Sequence, residues 1–453
     1  MKYVSTRGAG EPVGFFEAFS NGLAPDGGLY VPQGFPFLPS DLLTDEPLPY
    51  PALAWDFLSL YDSDHEGDDL IKLVDESYGD FSEEMSAPLT QLSDNLFILE
   101  LFHGPTLAFK DFGLQLVGNL FEEQIKRTGE SINVLGATSG DTGSAAIHGL
   151  AGKDGVNVFV LYPEGRISKL QERQMTCTGA KNIFPIPIKG TFDDAQAIVK
   201  ELMGDLEFKD KMNLSAINSI NIARVLAQSV YYIHAFMQLP PENKGDVNFV
   251  VPTGNFGNVF AGWMAHKMGL PVEQFVVATN RNDMLYNFFN SGLYEAGEVS
   301  PSFAPSMDIQ VASNFERFLF YHTGKDAGET VEQMAKIKTD GKLNLPHFGR
   351  DNFTATKSTD DDILRNIAMV KEKYDYVIDP HTACGFQDLD QNKTNVVLAT
   401  AHPAKFPEVT KKAIGEIVTE ESLEALKEKT QKRYPLDATA AAVRAFVEKN
   451  AAE

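Results

Sequence analysis

His103–Gly113 reads HGPTLAFKDFG. The run before it, FILELF at Phe97–Phe102, is apolar enough for a buried strand. After it, Phe112, Leu116, Val117, Leu120, Phe121 and Ile125 recur at helical spacing. A strand therefore leads through a Gly104-Pro105 turn into an amphipathic helix, and one lysine, Lys110, sits at the junction. Phe109 and Phe112 flank it, and Asp111 can cap the helix that follows. Burial among apolar groups disfavours an ammonium, lowers its pKa and makes the amine a nucleophile fit for Schiff-base chemistry. The bland alternative is a lysine snorkelling beside a helix start, and this stretch alone favours it.

Outward from this junction the same grammar repeats. Apolar runs at Ile132–Leu135, Val156–Pro163, Val247–Gly254, Phe275–Asn280 and Asn395–Pro403 read as strands, with YVIDP at Tyr376–Pro380 as one more. Helical spacing separates them: Ala195, Ile198, Val199 and Leu202 in one helix, Ile222, Val225, Leu226, Val230 and Ile233 in another. Such alternation predicts an α/β fold with parallel sheets. IFPIPIKG is extended, but its prolines restrict it to a sheet edge. Residues 1–95 differ: they are rich in Pro, Gly and aromatics, with short elements packed on the main body and a solvated acidic run at Asp62–Asp69. Residues 290–360 show little clean periodicity, and the tail beyond Pro407 reads as charged, Ala-rich surface helices.

Composition narrows the function. The 453 residues are 43% hydrophobic and 23% charged, an ordinary globular balance. A net charge of −24 argues against nucleic acid or an anionic membrane as partner. It also requires a locally positive pocket for any anionic substrate. Cys177 and Cys384 form no CxxC pair, and the histidines match no zinc pattern, so no metal is expected. The N-terminus lacks a secretory pattern and no apolar run approaches a membrane span, so a cytoplasmic protein is expected.

Four further stretches can carry chemistry. PTGNFGNVF (Pro252–Phe260) follows a strand and opens a helix. Gly254 and Gly257 admit a ligand close to the backbone, and the helix start favours an anion. Asn255, Phe256 and Asn258 complete a phosphate cradle that needs no lysine and is neither a P-loop nor a dinucleotide fingerprint. GATSGDTGSAA (Gly136–Ala146) has the same context, and Thr138, Ser139, Thr142 and Ser144 supply hydroxyls for a carboxylate or phosphate. In INSINIAR (Ile217–Arg224), Asn218, Ser219 and Arg224 suit a phosphate monoester. Thr400 ends a late strand, where α/β enzymes commonly contact ligands. The competing readings are an ordinary Gly/Asn turn, a helix cap in a crowded turn, an exposed arginine and an idle strand-end threonine.

Together these stretches resemble the threonine synthase family, in its longer bacterial and fungal type. HGPTLAFKDFG is similar to that family's cofactor-lysine motif, GLAPDGGLYVP (Gly22–Pro32) to its N-terminal signature, GATSGDTG to its substrate loop and TGNFGN to its phosphate loop. The resemblance runs from about residue 3 to about residue 407. It implies a tryptophan-synthase-β-like, fold type II enzyme dependent on pyridoxal 5'-phosphate. Two α/β lobes with parallel sheets would enclose the cofactor, with residues 1–95 an added N-terminal segment, 96–453 the catalytic region and a smaller lobe at about 130–245.

By the same resemblance Lys110 is the Schiff-base lysine and proton shuttle, and Gly254 to Asn258 bind the cofactor phosphate. Thr400 partners the pyridine nitrogen, where a charged group is the general expectation. Asp141 lies near the ring oxygen, where some relatives have Asn. Thr138, Ser139, Thr142, Asn218, Ser219 and Arg224 become candidates for the substrate's carboxylate and phosphate. The implied reaction converts O-phosphohomoserine and water to threonine and phosphate, in a monomer or homodimer. Two rival readings stand beside it: a β-replacing or dehydrating enzyme of the same fold, and a ligand-binding protein without catalysis. Arg224 with Asn218 and Ser219 disfavours the first, because serine needs no second anion site, and intact Lys110 disfavours the second.

Overall fold

The computed structural model describes residues 1–451 except 45, 63, 66, 139, 217–219 and 347–351. Its larger sheet has six strands in the order Phe353–Lys357, Gln274–Thr279, Val247–Pro252, Thr394–Ala399, Leu96–Glu100, Leu89–Ser93. All pair in parallel except the last, which closes an antiparallel hairpin on Leu96–Glu100. Residue 95 lies in the turn of that hairpin, so the sheet begins before it. Burial on both faces explains why these strands read as unbroken apolar runs. Phe97 and Leu99 face one core with Phe249, Val251, Val396 and Leu398, while Leu96 and Ile98 face the other with Val250, Val397, Ile363 and Ile367.

The smaller sheet is wholly parallel, in the order Ile183–Ile188, Val156–Pro163, Ile132–Ala137, Leu214–Ala216. Pro185 and Pro187 do stand on an edge strand. The chain's tail covers that edge: the N–H groups of Tyr434 and Leu436 donate to the carbonyls of Pro185 and Pro187, the groups that proline retains. Val443 and Val447 of the Ala440–Asn450 helix are fully buried against Phe159 and Phe184 of this lobe, so the last helix is amphipathic rather than purely superficial.

Two expectations need correction. Tyr376–Asp379 is not a strand: it is an extended connection into the Pro380–Cys384 helix, whose first N–H groups Asp379 caps. The weakly patterned region 290–360 contributes a true edge strand, Phe353–Lys357, whose pattern is short and polar because only one edge is paired. The N-terminal segment packs on the body as expected. Tyr3, Phe19, Tyr50 and Phe57 join the core that holds Phe112, Leu116 and Leu226, and the Tyr78 hydroxyl donates to the Phe112 carbonyl at 3.0 Å. No helix among the described residues is long and apolar enough to cross a membrane.

Candidate active site

Three loops leave the larger sheet at the carboxyl ends of its parallel strands, the position where open α/β sheets bind ligands. The loop after Leu96–Glu100 carries Lys110, the loop after Val247–Pro252 is the Gly/Asn turn, and the loop after Thr394–Ala399 carries Thr400. The first and third are stitched together: the Phe109 N–H donates to Thr400 O at 2.9 Å, and the His402 N–H to Leu107 O at 3.0 Å. Lys110 opens the Lys110–Thr128 helix. Asp111 does not cap that helix as expected; its carboxylate folds back and accepts from the N–H and hydroxyl of Thr106 at 2.9 and 2.7 Å. That bond closes the turn ahead of Lys110, and burial pushes the Asp111 carboxyl up to about 6.

Lys110 Nζ lies 5.3 Å from the Phe109 ring centre, 3.5 Å from Asp141 Oδ2 and 3.5 Å from Ser306 Oγ. Burial holds its pKa below the usual lysine range, with the Lys405 and Arg224 charges acting in the same direction and Asp141 opposing. Asp141 opens the Asp141–Leu150 helix of the smaller lobe. Its Oδ1 meets Lys405 Nζ at 2.9 Å and accepts from Gln171 Nε2 at 3.0 Å, while its Oδ2 accepts from Ser306 Oγ at 3.2 Å. Burial alone would push this carboxyl up; Lys405 and Lys110 outweigh it and hold Asp141 well below the usual carboxylate range. His381 supports the same wall. Its Nδ1 faces Asp379 Oδ1 at 2.9 Å, and its Nε2 accepts from the Ser306 N–H at 3.1 Å.

The Gly/Asn turn faces Lys110 across one cavity. Phe256 holds φ +65°, which ends the loop sharply and starts the Gly257–Lys267 helix, while its side chain leaves the cavity for a cluster with Phe289, Phe315 and Phe318. The first N–H groups of such a helix have no partners within it and attract anions. A Cβ on Gly254 would come 3.1 Å from Ser306 O and 3.3 Å from Met307 Cα, so glycine is what lets the loop close on its neighbour. Tyr231 and Tyr232 both donate to Asn258 Oδ1, at 2.5 and 2.8 Å, which leaves Asn258 Nδ2 a buried donor without a partner. Arg224 Nε and Nη1 and Gln228 Oε1, one helical turn apart, are likewise buried without partners and line the cavity. Burial lowers the Arg224 pKa to about 10, so it stays a cation, with no carboxylate among the described residues acting on it. Unpaired buried donors of this kind are costly unless an anion fills the space. A buried amine, an anion cradle and a spare guanidinium fit pyridoxal phosphate together with a second anionic group.

The structure thus brings together Lys110, Asp141, Thr142, Arg224, Gly254, Asn255, Phe256, Gly257, Asn258 and Thr400 around one cavity. Thr138 lies behind it. Its hydroxyl accepts from the N–H groups of Gly140 and Gly143 at 3.0 and 2.8 Å and shapes the loop. Ser139, Asn218 and Ser219 lie outside the described residues. Sequence reasoning missed Gln228, Ser306, His381 and Lys405. Gln228 was detectable, four residues beyond Arg224 on the same helix face; Ser306 and His381 reach the cavity, and Lys405 reaches Asp141 on its wall, only through tertiary packing.

Two parallel-sheet lobes meeting at a buried lysine and a helix-start anion cradle define a pyridoxal-phosphate dependent enzyme, and the family model of that description matches residues 83–398. Models for the threonine synthase N terminus and the threonine synthase C-terminal region match residues 2–78 and 381–447. The chain is 44% identical to the threonine synthase of Pseudomonas aeruginosa, over 91% of this chain and 90% of that one. It is 42% identical to that of Schizosaccharomyces pombe, over 92% and 90%. The crystal structure of PLP-bound threonine synthase from Brucella melitensis superposes with a TM-score of 0.96 at 41% identity, covering all of both chains. The chain belongs to the threonine synthase family.

Proposed function

We propose that this cavity holds pyridoxal phosphate on Lys110 and converts O-phosphohomoserine and water to threonine and phosphate. One observation carries the reading: the buried Lys110 amine shares a cavity with two separate anion sites, the Gly254–Asn258 helix start and the unpartnered Arg224 guanidinium. The first takes the cofactor phosphate, the second the substrate phosphate. When bound, the cofactor supplies a conjugated ring that spreads the charge left by a departing proton. Thr400 would hold the ring nitrogen with a hydroxyl that fixes no charge on it, and Asp141, 3.5 Å from Lys110 Nζ, would lie near the ring oxygen. Thr142, with Thr138, Ser139, Asn218 and Ser219, is assigned to the substrate's carboxylate and phosphate.

Displaced by the substrate's amine, Lys110 Nζ removes the proton from Cα, gives it up to the conjugated system the cofactor would supply and, neutral again, removes one from Cβ, as a lysine held below its usual pKa can. Arg224 holds the phosphate as its bond to Cγ breaks. Cγ then gains a proton, water oxygen bonds to Cβ, and Lys110 returns a proton to Cα. Atoms balance: Cβ exchanges hydrogen for hydroxyl, Cγ exchanges phosphate for hydrogen. The division into residues 1–95, the catalytic region 96–453 and a smaller lobe at about 130–245 belongs to this reading, as do a monomer or homodimer, a cytoplasmic location and the absence of a nucleic-acid partner.

Phosphate release from O-phosphohomoserine with equimolar threonine is the expected result. Ketoacid from threonine as the only product would instead establish the dehydrating alternative.

A further inference from the structure

Lys405 is a lysine that the reaction does not use. Its side chain is wholly buried, and it arrives on the Pro403–Lys405 turn that follows Thr400. Nζ holds Asp141 Oδ1 at 2.9 Å and donates to Thr106 O at 2.6 Å. Asp141 is therefore shared unequally. Lys405 and Gln171 hold one oxygen closely, and Lys110 touches the other only at 3.5 Å.

We infer that Lys405 is a positioning residue that acts through Asp141: it balances that carboxylate so that Lys110 is free to give up its proton. The inference rests on the reading of Lys110 as the cofactor lysine. Its physical basis is charge counting. With Lys110 protonated, the Asp141 carboxylate faces two ammonium groups, and Arg224 adds to the surplus. Loss of the Lys110 proton leaves the Lys405–Asp141 pair intact. Without Lys405 the only lysine left to Asp141 would be Lys110, and the cationic form of its nitrogen would be held in place. The Thr106 bond adds a tether, because Thr106 belongs to the turn that delivers Lys110. Other titratable groups facing the cluster are Arg224, His381, Asp111 and His148, from four different helices or turns.

The test uses the full chain loaded with pyridoxal phosphate and follows the absorbance of the Lys110-bound cofactor against pH. Lys405→Met removes the charge, and Lys405→Gln removes it while keeping a donor for the Thr106 carbonyl. Either variant is expected to raise the absorbance midpoint by one pH unit or more, a tenfold gain in proton affinity at the Lys110 nitrogen. Combining Lys405→Met with Asp141→Asn is expected to remove most of that rise. Should the Met variant fail to fold, the Gln variant carries the measurement. A midpoint unchanged or lowered in a variant that retains cofactor would overturn the inference. Failure of the underlying reading looks different: after borohydride fixation of the wild type, peptide mass spectrometry would place the cofactor elsewhere than Lys110, and both readings would fall.

Discussion

The two basic residues in this cavity do opposite things to stability and function. Lys110 has partners at contact distance and a lowered pKa; Arg224 is a cation with two buried nitrogens, Nε and Nη1, that no group among the described residues receives. Lys110→Ala should fold, lose the cofactor absorbance and lose phosphate release altogether; persistence of that absorbance would show that another amine holds the cofactor. Arg224→Met should raise KM for O-phosphohomoserine at least roughly 30-fold, since losing one partner of a buried charge pair costs about 2–5 kcal/mol. The same variant should stabilise the ligand-free chain by about 1–3 kcal/mol, because it removes an uncompensated charge. Thermal midpoints with and without substrate analogue check both halves. Loss of bound cofactor in Arg224→Met would mean that this guanidinium serves the cofactor phosphate instead.

Elements bring these residues into register. The helices that begin at Lys110 and Asp141 cross at two glycines: a Cβ on Gly118 would lie 1.9 Å from the Gly149 carbonyl oxygen, and one on Gly149 would lie 2.4 Å from that of Leu114. No rotamer relieves a clash with backbone, so Gly118→Ala must part the helices. The expected cost is about 2 kcal/mol or more, read as a lower unfolding midpoint, with kcat falling because Lys110 and Asp141 separate. A midpoint equal to wild type would show that the crossing is looser than drawn.

The strands and helices that frame this crossing were legible because each is buried enough to impose its own period, as in Phe97–Phe102 and Ile222–Gln238. Where the period fails, the cause is local. YVIDP has strand composition, but Asp379 and Pro380 commit its end to a helix start. Asp111 stands in the first turn of its helix rather than ahead of it, and Thr106 offers it two donors. The site divides the same way. Motif residues within one strand–turn–helix unit were visible, whereas Ser306 and His381 meet the cavity from distant turns, and Lys405, close to Thr400 in the chain, reaches Asp141 by a packing that no local spacing announces.

At the scale of the whole molecule, acid reports how the N-terminal segment is held. His234 is fully buried on the Ile222–Gln238 helix, its ring edge-on to Tyr50 of the N-terminal segment at 5.2 Å and its Nδ1 near the Ala87 carbonyl and the Gln238 amide. Burial lowers its pKa from 6.5 to about 4. A histidine whose folded pKa lies below its unfolded one binds fewer protons when folded. Its full contribution is therefore present above about pH 6.5 and is lost as pH falls toward 4. His148 is shifted the same way, to about 4, and titrates alike in the wild type and in a variant changed only at position 234. The surplus of acidic residues, with a net charge of −24, also titrates in acid and changes the overall repulsion, but it does so equally in a single-site variant. His234→Phe keeps a ring against Tyr50 and removes the titration. Between pH 7 and pH 4.5 the wild type should lose about 2–3 kcal/mol more than this variant, measured as a widening gap between their denaturant midpoints. Parallel pH curves would show that His234 is solvated in the folded chain, and that the N-terminal segment seals this part of the body less tightly than its packing indicates.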